Sequence, residues 1–264
     1  MPGPDEISVT QLSRLIGTPD QPLIIDVRPP EDRDADPFLM PTATVAHYLT
    51  PETALPPAAR PIAVTCFKGG KFAQGAAALL RNQGHRAEVI EGGWQAWREA
   101  SLPVIDRSAR DLSLWVTRHR PKVDRIACPW LIRRFVNPAA RFLFVAPAAV
   151  HEVAAKFGAI PFDIDGVPHS HVGDLCTFDT LLTLFGLQSE PLTRMALVIR
   201  AADTDRHDLA PQAAGLLALS VGLSRQFRND LDQLAAGMVL YDALYRWARD
   251  GFDEGHDWPA NRPQ

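Results

Sequence analysis

The sequence predicts an α/β domain, a parallel sheet flanked by helices, followed by a mainly helical α+β domain. Three observations predict it. Over the first hundred residues, short apolar runs alternate with helix-like segments, the rhythm of a parallel sheet covered on both faces. A stretch with Pro, Ser and mixed charge but no sustained period follows at 101–113. Beyond residue 146 the pattern turns mainly helical. Residues 1–104 are thus the first domain and 105–113 the linker, with 114–250 the second domain and 251–264 a frayed tail.

Taken in order, SVTQLSRLIG (8–17) reads as a short helix capped by Ser8 or Thr10. PLIIDVR (22–28), PIAVTC (61–66) and RAEVIEGG (86–93) are compact apolar runs with the length of buried strands. KFAQGAAALLRNQG (71–84) is a helix ending at Gly84, and WQAWREA (94–100) is a short final helix. In the second domain LWVTRHR (114–120) and ARFLFVAP (140–147) read as strands around a helix at CPWLIRRFVN (128–137). Pro129 fits best in the first turn of that helix, which places Asp124 and Cys128 near its start. Helices are expected over 148–158, 174–186, 191–202, 211–223 and 229–249. The last presents Leu231, Leu234, Met238, Tyr241, Leu244 and Tyr245 at the three-four spacing of one buried face. Trp115, Trp130, Trp247 and Phe178 fit core positions.

Composition narrows the function. A net charge of −4 gives no basic footprint for nucleic acid, and no clear helix-turn-helix is visible. Three cysteines, Cys66, Cys128 and Cys176, lie far apart without CxxC pairing, which argues for a reducing compartment. Asp5 and Glu6 stand where a signal peptide would want basic and apolar residues, and no run has the length of a membrane helix. The expectation is a cytoplasmic protein.

The richest chemistry in the first domain lies at VTC-FKGGK-FAQGAAALL. Here a cysteine follows a strand and precedes a helix across a loop with two glycines. Such a loop turns its N–H groups inward, and the helix adds its positive end, so a thiolate is stabilised. Lys68 and Lys71 add charge for an anionic sulfur donor. The alternative reading is a buried strand-end cysteine.

IDVRPPE (25–31) resembles the rhodanese IDVR-x-x-E signature, CFKGGK its six-residue active-site loop, and VIEGGWQAW (89–97) its closing GG-x-x-x-W segment. The three occur in the family's order, so residues 7–104 are identified as a rhodanese-like domain. The resemblance implies that Cys66 accepts sulfur as a persulfide and passes it to a thiophilic acceptor, with no cofactor. Phe67, Lys68, Gly69, Gly70 and Lys71 would then bind the donor, a small thiosulfate-like anion. Asp26 and Arg28 would brace the loop, or form a strand-end ion pair without catalytic role. Related phosphatases carry an arginine six residues after the cysteine; position 72 is Phe. The stretch PFLMPTATVAHY (37–48) lacks the family's His-x-x-Gly-Ala element, which leaves the substrate open.

The second domain concentrates polar residues in two loops. FDIDGVPHSHVGDLCTFD (162–179) offers Asp163, Asp165, His169, His171, Asp174 and Cys176, and IRAADTDRHD (199–208) adds Asp203, Asp205 and His207. Such sets make metal sites, or serve only as helix caps and turns. TRHRPKVDRIACPWLIRRF, SHVGDLCTFD and AADTD resemble the C-terminal domain of the chromate-resistance protein B family. That resemblance implies a role in chromate resistance, with His171, Cys176, Asp203 and Asp124 lining one pocket. These four are the expected metal ligands, while Arg118 and His119 suit an oxyanion such as chromate. The leading expectation is therefore a sulfurtransferase fused to a chromate-resistance module. The alternative is a chromate- or metal-responsive sensor built on a scaffold rhodanese domain.

Overall fold

The computed structural model describes residues 3–56 and 60–255. β1 (Glu6–Ile7) leads into α1 (Val9–Leu15), which Ser8 starts through a reciprocal capping box with Gln11. β2 (Leu23–Asp26) is followed by α2 (Pro30–Ala35), with proline in its first turn, then by β3 (Phe38–Leu39) and β4 (Thr44–Val45). β5 (Ile62–Thr65), α3 (Lys71–Asn82), β6 (Ala87–Ile90) and α4 (Gly93–Glu99) complete the first domain. The sheet order is β1-β6-β5-β2-β4, and each neighbouring pair is parallel. α3 lays Ala73, Ala76, Ala77 and Leu80 on it, and the small alanines let the helix approach closely. Parallel strands bring their C-terminal ends to one edge, so the loops after β2, β5 and β6 gather there.

The segment expected to be a linker is packed structure instead. β7 (Ile105–Asp106) pairs antiparallel with β3, and a 3-10 turn over Arg107–Asp111 follows, started by Asp106 accepting the Ser108 N–H. Arg110 then donates to Val136 O, Asn137 Oδ1 and Thr44 Oγ1. Its partner strand lies far away in sequence, so local periodicity carried no trace of the pairing.

β8 (Leu114–Arg118) is central in a three-stranded parallel sheet, between β10 (Ile160–Pro161) and β9 (Arg141–Val145). α5 (Asp124–Leu131) follows β8 and runs into a π turn over Ile132–Val136. α6 (Val150–Phe157) crosses between β9 and β10. α7 (Thr177–Leu184), α8 (Glu190–Asp203), α9 (Ala213–Gln226) and α10 (Asp230–Asp250) form the helical remainder.

Three expectations are corrected here. Pro129 lies inside α5 rather than in its first turn, since the helix already starts at Asp124. Seven of its eight residues are buried, so packing outweighs the intrinsic cost of proline. Leu231 is exposed in the first turn of α10, whereas Leu234, Met238, Tyr241 and Tyr245 are buried. Phe252, within the expected tail, packs at a tilt against Trp247 and carries the Arg194 guanidinium over its ring; residues 256–264 of that tail lie outside the described residues.

Candidate functional site

Cys66 follows β5 directly and sits on the floor of the loop that leads into α3. Its residue is 4% exposed, while Phe67, Lys68, Gly70 and Lys71 form an exposed rim. Gly69, at φ +65, lies so close to the next loop that a Cβ there would stand 2.6 Å from Ile90 O. Gly93, at φ +60, presses on Cys66 O and Gly69 N, where a Cβ would collide with backbone. The Trp94 N–H donates to Cys66 O and the Gln95 N–H to Phe67 O, both at 2.9 Å. The glycine pair before Trp94 thus shapes the cysteine loop. α3 begins at Gly70 without a side-chain cap and without an acidic residue in its first turn. Its first N–H groups are therefore available to an anion at the loop.

Asp26 and Arg28 form a buried pair. Arg28 Nη2 lies 2.7 Å from Asp26 Oδ2, both side chains are at most 1% exposed, and the guanidinium covers the Trp94 ring at 4.2 Å. The remaining donors of Arg28 reach Asp36 O and Phe38 O. Trp94 Nε1 in turn donates to Asp36 Oδ2. A buried guanidinium with its donors engaged ties the 36–38 segment to α4 and so reaches the loop through Trp94. It does not offer itself to a substrate.

In the second domain, four side chains from four segments converge. Asp124 opens α5, Asp163 follows β10, His171 sits in the loop before α7, and Asp203 ends α8. One ligand atom from each lies within 4.8 Å of the others. His171 Nε2 stands 3.1 Å from Asp203 Oδ2, 3.5 Å from Asp163 Oδ1 and 3.6 Å from Asp124 Oδ2. Asp163 also accepts from Thr177 Oγ1 and Arg118 and forms an ion pair with Arg125. Asp124 is fully buried; its Oδ2 accepts the Thr177 N–H at 2.6 Å, whereas its Oδ1 has no hydrogen-bond donor among the described residues.

The electrostatics are unusual. Two unit charges about 4 Å apart repel by about 4 kcal/mol at an effective dielectric of about 20, and three carboxylates meet here. Burial, together with Asp203 and Asp163, pushes the Asp124 carboxyl well above its ordinary range. Burial and Asp163 raise Asp203 as well. Burial also acts to raise Asp163, but hydrogen bonds and charge from His171, Arg125, Thr177 and Arg118 outweigh it and hold it low. The hydrogen bond to Asp163, with charge from the neighbouring carboxylates, pushes His171 up to about 9. The backbone here is strained too: Val123, a β-branched residue just before Asp124, has φ 38, and Asp163 has φ 52.

Of the expected ligands, Asp124, His171 and Asp203 come together and Cys176 does not join them. Its thiol donates to Asp179 Oδ2 at 3.3 Å, and its backbone N–H caps α7 on the same oxygen. Burial pushes that thiol well up, keeping it neutral. Asp163 takes the fourth place. The sequence offered it only as one of the polar residues of the 162–179 loop; the pairing of β10 with β8, which sets it against Arg118, is tertiary. Arg118 is thereby committed to Asp163, and His119 is exposed at the strand end. Asp165, Asp174, Asp205 and His207 are exposed outside the cluster. Elsewhere, a cavity of about 620 Å³ opens between the domains, lined by Thr42, Arg60, Arg110, Arg133 and Arg134 among others, and touches neither Cys66 nor the acidic cluster.

The fold and the Cys66 loop define a rhodanese-like domain, and residues 8–100 match the family described as the rhodanese-like domain. Residues 115–248 match the ChrB C-terminal domain, so the chain belongs to that family, carrying a rhodanese-like domain ahead of it. Protein ChrB of Cupriavidus metallidurans is 38% identical over 149 residues, which cover 55% of this chain and 44% of that protein. The chain thus spans less than half the length of this relative. Among solved structures, a rhodanese-related protein from Thermoplasma volcanium is 22% identical over 38% of this chain and 96% of its own, with a TM-score of 0.33. A thiosulfate sulfurtransferase from Pseudomonas aeruginosa is 24% identical over 40% of this chain and 20% of its own, also at 0.33. Among the described residues no helix is long and apolar enough to cross a membrane.

Proposed function

We propose that the first domain is a sulfurtransferase working through a persulfide on Cys66, attached to a second domain that serves chromate resistance. The observation that carries this reading is Cys66 at the floor of a glycine-shaped loop that also holds the exposed Lys68 and Lys71, before a 12-residue helix without a side-chain cap. The Cys66 thiolate attacks the outer sulfur of a thiosulfate-class donor. The donor's S–S bond breaks, its electron pair leaves with sulfite, and Cys66 keeps the sulfur as a persulfide. Cyanide or a thiolate then attacks that outer sulfur, and the pair returns to Cys66 as thiolate. The helix N-terminus and the two lysines stabilise the anionic sulfur at each stage. Thiosulfate and chromate are both tetrahedral dianions, so one protein that meets both is chemically coherent.

The test is thiosulfate:cyanide sulfur transfer, with protein-bound sulfane sulfur measured in parallel, on the wild type and Cys66→Ala. Wild-type turnover that falls to background in Cys66→Ala, with loss of bound sulfane sulfur, supports the reading. Sulfane sulfur retained by Cys66→Ala overturns it, and so does a wild type inactive with every sulfane donor tried.

A further inference from the structure

We infer that Asp124, Asp163, His171 and Asp203 bind one divalent first-row transition-metal ion of the manganese, iron or zinc class. With metal–ligand bonds of about 2.1 Å, neighbouring donors lie about 3.0 Å apart in an octahedral shell and about 3.4 Å apart in a tetrahedral one. The distances from His171 Nε2 to its three carboxylate oxygens, 3.1, 3.5 and 3.6 Å, fall in or near that range. The four side chains come from segments spread over residues 124–203, so the fold brings the donors to one point.

A second, independent observation is the Asp124 carboxylate itself. It is wholly buried, and its Oδ1 lacks a hydrogen-bond donor among the described residues. A buried polar atom is rarely left unpaired, and a cation at the cluster supplies the missing partner. The surroundings are arranged as the outer shell of a metal site. Thr177 holds Asp124 and Asp163, and Arg118 and Arg125 hold Asp163 Oδ2, which leaves Asp163 Oδ1 on the side of His171.

The donor set selects the ion. Three carboxylates and one imidazole suit manganese(II), iron(II) or zinc(II). The imidazole is foreign to calcium and magnesium sites. Soft ions want the thiolate that Cys176 withholds by donating to Asp179. His171 is the most exposed of the four, with its side chain at 40%, so solvent reaches the cluster from its side.

The test uses the full-length protein, purified without a histidine tag, stripped with chelator and titrated separately with Mn(II), Fe(II) under anaerobic conditions, and Zn(II). Calorimetry, metal analysis and thermal melting are the readouts. About one ion per chain and a metal-dependent rise in Tm are expected. His171→Ala and Asp203→Asn, at the two more exposed positions, should each weaken binding by at least about tenfold while the metal-free variants still melt cooperatively. Cys176→Ala and Cys66→Ala should bind as the wild type does. Binding no tighter than adventitious levels in the wild type, or full affinity in a His171→Ala, Asp203→Asn double variant, overturns the inference. Either result leaves the Cys66 reading untouched, because sulfur transfer is measured separately.

Discussion

Gly93 shows how much one residue decides. Its positive φ and its close approach to Cys66 O and Gly69 N leave no room for a side chain. Gly84 also has positive φ, at +87, but a Cβ there would meet nothing within 4 Å. Gly93→Ala and Gly84→Ala therefore share the conformational penalty, and only the first adds a backbone collision. We expect Gly84→Ala to cost about 1–2 kcal/mol and leave sulfur transfer intact. Gly93→Ala should cost more and reduce transfer severalfold, because it displaces the loop under Cys66. Urea unfolding and the sulfur-transfer assay on the two variants check this; equal effects would remove Gly93 from the shaping of the loop. The same scale explains the exchange of Cys176 for Asp163. A thiol 3.3 Å from Asp179 is already committed as a donor, whereas the Asp163 carboxylate, held by Arg118 on Oδ2 and by Thr177 on Oδ1, keeps Oδ1 3.5 Å from His171 Nε2.

At the scale of elements, the entry to α5 is held from outside. Val123 sits at φ 38, a conformation that costs a β-branched residue about 1–3 kcal/mol. α10 retains it: Tyr241 Oη donates to Val123 O at 3.0 Å, and Gln233 donates to Pro121 O. Tyr241 is buried, so Tyr241→Phe removes a buried hydrogen bond, although Val123 O keeps the Ile126 and Ala127 N–H groups. We expect a loss of about 0.5–1.5 kcal/mol in denaturant unfolding, with sulfur transfer by the folded protein unchanged. An unchanged midpoint would mean that α10 does not restrain the α5 entry. Pro129 and the π turn at Ile132–Val136 belong to the same arrangement. They interrupt the regular helix where Phe135 must face the first domain.

For the whole molecule, the two domains share a core. One buried cluster joins Leu12, Ile16, Trp97 and Ile105 of the first domain to Trp130, Phe135, Met195 and Tyr245 of the second. Phe135 is 1% exposed and packs on Trp130 and Tyr245, while its carbonyl accepts the Thr42 N–H of the first domain. Phe135→Ala should cost about 3–5 kcal/mol, and thermal loss of helicity should coincide with thermal loss of sulfur transfer. Separate transitions for the two signals would show that the shared core does not couple the domains.

Much of this protein was legible in the sequence because the determinants are local. Buried strands announce themselves as apolar runs, α3 by its alanine and leucine spacing, and the Cys66 loop by contiguous residues between a strand and a helix. The glycine pair at 92–93 was visible as a motif, although its contact with the cysteine loop was not. The sequence also marked Asp124, His171 and Asp203 as polar residues in suspicious loops. Only the tertiary structure decided which of their neighbours joins them. That choice depends on the β10–β8 register, which sets Asp163 against Arg118, and on Asp179 claiming the Cys176 thiol. The packing of 105–111 was hidden for the same reason, since β3 pairs with it across more than sixty residues of chain. Periodicity reports which face of an element is buried; it carries no information about which distant element buries it.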